Sequence, residues 1–226
     1  MTDDILSDRG RRGLAAAFAL CALATLALMA NHPGGGSHGF ADLLKDEANN
    51  HFIDGLVHGG FIVILAALTV CFVFLSRWLG TASAPVVIGL VFFFIGSGAL
   101  MASMILDGFA TPAIAARFAG DLSAENLLTA KTLFILLGTL IRFLMPMGLL
   151  FQSVAIFSWS SVFVRRPGLS RAVGVFGMAA ALSLFIALVM VPAAMASHVL
   201  LGGIILQAMW YFSLAAVLFS RNQTAT

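Results

Sequence analysis

"APVVIGLVFFFIGSGALMASMIL", residues 84–106, carries no charged side chain over 23 positions. Wound as an α-helix it covers about 35 Å, slightly more than the ~30 Å hydrocarbon core of a bilayer. That length and polarity mark a membrane-crossing helix. Working outward, five further apolar runs give a set of spans at about 13–31, 57–76, 84–106, 132–164, 172–194 and 198–219. The chain is 61% apolar and 10% charged with a mean hydropathy of +1.04. Soluble domains lie nearer 45–50% and ~25%. The expected fold class is therefore all-α: a polytopic membrane protein of six transmembrane helices. Residues 1–226 form a single transmembrane domain, with outer loops at 32–50 and 107–130.

The basic residues give the orientation. Arg9, Arg11 and Arg12 precede span one, and Arg77 lies between spans two and three. Arg165, Arg166 and Arg171 lie between spans four and five, and Arg221 follows span six. All fall on one side of a six-span chain, the cytoplasmic side by the positive-inside pattern, so both termini are expected there. The host membrane is read as a bacterial inner (plasma) membrane, with the opposite loops facing the periplasm. The net charge of +2 thus reflects topology and gives no reason to expect nucleic acid. The expected partner is the lipid bilayer, with a homo-oligomer or a membrane-protein partner left open. The first run lacks a good small-x-small cleavage site and is read as a retained helix. Cys21 and Cys71 both fall inside apolar spans, which favours buried small residues over a disulfide.

A shift of 88 residues lays spans two and three over spans four and five, aligning Arg77 with Arg165 and Gly80 with Gly168. A duplicated hairpin would give this pattern. So would helix-ending glycines beside arginines on the positive side.

Counting along the spans brings ionisable groups to one outer level. Asp54, Arg142 and His198 each stand 23 residues before an inner-side arginine. Asp107 follows Pro85 by 22 residues, and His32 follows Arg12 by 20. Arg142 is preceded by ten mostly apolar residues, so it needs a partner, and Asp54 or Asp107 is the natural one. Pro146 follows within a turn and is expected to kink a long fourth span.

In "HFIDGLVHGG", residues 51–60, His51, Asp54 and His58 share one helical stripe with Glu47. Imidazole and carboxylate are common donors to zinc, iron and copper. The candidate metal ligands are His51, Asp54, His58, Asp107 and His198. Arg142 is their electrostatic partner, and His32 and His38 of the Gly-rich segment serve as lid or extra ligands. The suspected cofactor is a divalent metal, zinc or copper, and a b-type haem between His58 and His198 is the second cofactor reading. Methionines in the outer halves of spans three and five, Met104 among them, suit either Cu(I) or plain core filling.

The leading functional reading is a membrane protein with a metal-binding polar pocket at its outer face. Such a pocket serves metal handling, or metal-assisted chemistry on a lipid or small substrate. The alternatives are a non-catalytic subunit or scaffold and a haem-binding membrane protein. Few polar residues lie in the inner halves of the spans, which disfavours an ion-coupled carrier.

Overall fold

The computed structural model describes residues 7–32, 39–190 and 197–220, with side chains for all but 197 and 198. Every regular element among them is helical: α1 Asp8–Ala30, α2 Phe40–Leu79, α3 Ala84–Ile105, a π-helical turn Leu106–Ala110, α4 Thr111–Phe118, α5 Ala124–Val164, α6 Leu169–Met190 and α7 Ser197–Ser220. Among the described residues there are six helical segments long and apolar enough to cross a membrane, α3, the π turn and α4 counting as one.

The segments expected as outer loops are largely helical. Residues 40–50 begin α2 and 124–130 begin α5 after Ser123, both of which the sequence itself suggests, and 107–118 continue α3. The reason is a second, smaller apolar core. Leu44, Ala115 and Ala130 are buried together, with Phe40, Phe118 and Phe134 packed around them. Phe40 and Phe134 meet edge to face at 5.4 Å. Helices of 40 and 41 residues span about 60 Å, twice a hydrocarbon core, so α2 and α5 extend well beyond that thickness, and α4 packs beside their extensions.

The packed neighbours run α1–α2–α3–α5–α6–α7 and back to α1, a closed ring of six. At its arginine-rich end the ring is tied by polar contacts. Arg11 donates from Nη1 to the Leu218 carbonyl at 2.7 Å, joining the start of α1 to the end of α7. The Arg166 guanidinium lies 4.8 Å from the Trp78 ring centre. The turns after α2 and α5 pass through Gly80 and Gly168, both at positive φ (101° and 67°), where a Cβ is disfavoured.

Inside this end, aromatic rings fill the centre. Phe72 stacks on Trp159 at 4.3 Å, and Trp210, Phe18, Phe93 and Tyr211 complete the cluster. Trp159 Nε1 donates to Ser76 Oγ at 3.1 Å, so its polar edge is satisfied. Nearer the other end, α3 and α5 meet backbone to backbone: a Cβ on Gly96 would lie 2.7 Å from the Gly148 carbonyl oxygen. Close approach through small residues is how helices gain packing where lipid supplies no hydrophobic drive. α5 continues unbroken through Pro146.

Candidate metal centre

The ring closes around a cavity of about 270 Å³. Its walls are apolar residues of α1, α2, α3, α5 and α7, such as Phe61, Leu65, Leu100, Leu149 and Ile204. The polar groups gather at its ends. His32, His58 and Asp107 stand at the end away from the arginines. Gln152, Gln207 and Tyr211 stand toward the aromatic cluster.

His58 is the anchor of the first group. It lies on the buried stripe of α2 that includes Asp54, Val57, Phe61, Leu65 and Leu68. Its Nδ1–H donates to the Asp54 carbonyl one turn back, at 2.9 Å. That bond fixes the ring and leaves Nε2 to face the cavity. Nε2 stands 3.2 Å from Asp107 Oδ2. His32, just past the end of α1, brings its ring edge to face against His58 with centres 5.1 Å apart. One ligand atom from each of the three residues lies within 4.8 Å of the others.

One of those distances already suits a metal. Two donors each about 2.0–2.1 Å from a tetrahedral zinc stand about 3.3–3.4 Å apart. The 3.2 Å between His58 and Asp107 already has that length. Because Nδ1 carries its proton to the Asp54 carbonyl, Nε2 can meet the carboxylate by gaining a second proton. A bound metal would take the place of that proton. The carbonyl holding Nδ1 is the outer partner that metal-ligating histidines generally have.

The π turn explains how Asp107 reaches this place. Pro112 has no N–H to offer the Gly108 carbonyl, and its ring crowds that oxygen, so a regular α-turn cannot form there. The chain adds a residue to the turn instead. The Thr111 amide and Oγ1 both donate to the Leu106 carbonyl, the latter at 2.9 Å. Gly108 then fits directly against the imidazole: a Cβ there would overlap Cβ and Cγ of His58 and lie 2.7 Å from its Nδ1. Only glycine permits the contact.

The structure thus brings His58 and Asp107 together and adds His32, expected only as a lid or extra ligand. It does not bring His51 or Asp54 into the group. His51 is exposed, and its Nδ1 bonds the Ala48 carbonyl at 2.9 Å. Asp54 is buried, but it serves His58 through its backbone oxygen. Arg142 lies on the exposed side of α5, apart from the cavity wall. His38 and the side chain of His198 lie outside the described residues, so the haem pair His58–His198 does as well.

Of the three thioethers next to the site, the sequence reading named Met104 and missed Met29 and Met145. Met29 and Met104 sit three residues before His32 and Asp107, and both line the cavity with Met145. All three pack in one cluster with Phe61. The i, i+3 spacing from each ligand was the available signal.

Compared with protein-family models, curated proteins and solved structures, the chain matches none.

Proposed function

We propose that this chain is an integral membrane protein that holds one transition-metal ion at His32, His58 and Asp107 and uses it on a small or lipid substrate. The observation that carries the reading is the three-residue donor set at the mouth of an apolar cavity. Two imidazoles and one carboxylate are donors that suit zinc, and three protein ligands leave the fourth position of a tetrahedral site open. A metal held by these three would supply an acidified water as a nucleophile near neutral pH. The surrounding apolar wall restricts solvent and strengthens that polarisation.

Exposed apolar side chains along α5, such as Ile135, Leu140 and Phe143, supply lipid contact. The grouping of arginines at the far end of the ring supports an orientation with both termini cytoplasmic and the metal facing outward. In a bacterium that membrane is the plasma membrane, and the metal is drawn from the periplasm.

A second reading is copper handling, favoured by Met29, Met104 and Met145 beside the triad. Thioethers prefer Cu(I), imidazole and carboxylate accept Cu(II), and an ion changing oxidation state would have donors for both.

The test is elemental analysis of purified protein together with its visible spectrum. About one zinc per chain in a colourless sample supports the first reading, and about one copper supports the second. A Soret band would replace both with haem. Protein that takes up neither ion contradicts the proposal.

A further inference from the structure

The cavity is far larger than a metal and its water need. At about 30 Å³ for each water-sized group, 270 Å³ holds about nine. It is also elongated. His58 and Leu68 both line it and are ten residues apart on α2, about 15 Å along the axis. Met145 and Gln152 on α5, and Leu200 and Gln207 on α7, each mark about 10 Å of depth. Between the triad and the glutamines the wall is almost wholly aliphatic, which water does not fill favourably.

Two donors at the deep end lack a partner among the described residues, Gln207 Nε2 and Trp210 Nε1, and of these Gln207 lines the cavity. Gln207 is 7% exposed, yet its Nε2 has no hydrogen-bond partner. Gln152, by contrast, spends its Nε2 on Ser97 Oγ at 3.2 Å. A buried amide N–H without an acceptor is costly. The stacked rings of Phe72, Trp159 and Trp210 close the space beyond it.

Resting on the metal reading above, we infer that the ligand is a single-chain amphiphile. Its oxygen head sits at His32, His58 and Asp107, its unbranched tail fills the aliphatic tube, and an acceptor oxygen about 10 Å down the chain takes the Gln207 N–H. A two-chain lipid does not fit a tube of this volume. A short polar solute would leave the wall bare and Gln207 unanswered.

The test uses the full chain in nanodiscs loaded with zinc, and decanoic acid bearing a terminal diazirine as the probe. After irradiation, peptide mass spectrometry is expected to find label at Leu68, Gln152 or Tyr211, reduced by at least about fivefold in Leu149→Trp. Unlabelled 10-hydroxydecanoate should compete about fivefold better than decanoate, the worth of one net hydrogen bond. That advantage should vanish in Gln207→Leu, a change mild enough to leave the fold intact. Label confined to lipid-facing Ile135, Leu140 and Phe143 overturns the inference, and so does equal competition by the two acids in the native chain. Metal content measured on the same sample separates the two claims. Zinc-loaded protein without deep labelling overturns the amphiphile alone, and deep labelling in protein that takes up no zinc upholds the cavity site and overturns the metal alone.

Discussion

His58 holds both of its ring nitrogens against oxygen acceptors, one from the backbone of its own helix and one from Asp107. The first bond is local and survives any change at the site. The second would give way to the proposed metal. Replacing His32 or His58 by Ala, or Asp107 by Asn, should therefore weaken metal binding by roughly two orders of magnitude or more, since each removes a donor. Asp54→Asn should retain the metal, because the hydrogen bond that fixes His58 comes from the Asp54 carbonyl, which this change keeps. Equilibrium dialysis against a metal buffer separates these outcomes. Acid should release the ion. A proton and a metal compete for the same imidazole nitrogens, so affinity should fall as the pH drops. Affinity that rises on acidification would exclude histidine ligation. At this scale the sequence was half legible. Counting from the inner ends of the spans put His32, Asp54 and Asp107 at one depth, but depth does not say which side chains turn inward. Asp54 and His51 share a stripe with His58, yet neither enters the group.

The elements set the aim of Asp107. A glycine and a proline four residues apart convert one turn of an apolar helix into a π turn, and the glycine lets the imidazole pass against the backbone. Gly108→Ala should push α3 and α2 apart and cost metal affinity at least tenfold, while the helical circular dichroism stays unchanged. If affinity holds, the close contact is not needed for ligation. Pro112→Ala restores an N–H for the Gly108 carbonyl and should favour a regular turn, rotating Asp107 away with the same result. A mid-helix proline announces a distortion, and "DGFATP" (residues 107–112) contains one. The sequence reading took the segment for a loop because polar residues near the end of a span usually begin one. The cluster of Leu44, Ala115 and Ala130 kept it helical instead.

At the scale of the whole molecule, six long apolar helices were legible from hydropathy, because a bilayer demands about 20 apolar residues from every crossing helix. Their order around a ring was not, since lipid-facing and core-facing residues are equally apolar. The cavity stayed hidden for the same reason. The aromatic cluster is what closes it, and Trp159→Ala should loosen the ring. Lipid is as apolar as a protein core, so the loss comes mainly from the void and from the Ser76 hydrogen bond. The expected cost is in the lower part of the roughly 3–5 kcal/mol seen for such truncations. Thermal denaturation in detergent, followed by loss of near-ultraviolet dichroism, should show a clearly lowered midpoint. An unchanged midpoint would mean that the stacked rings do not hold the ring of helices together.

The central claim is that His32, His58 and Asp107 together bind one metal ion. The most direct measurement is metal content per chain, by elemental analysis, of the native protein beside His32→Ala, His58→Ala, Asp107→Asn and His51→Ala, all purified alike. About one ion in the native protein and in His51→Ala, with little or none in the other three, is the predicted result. Full occupancy in His58→Ala, or loss in His51→Ala to the same extent, would place the metal elsewhere and contradict the account.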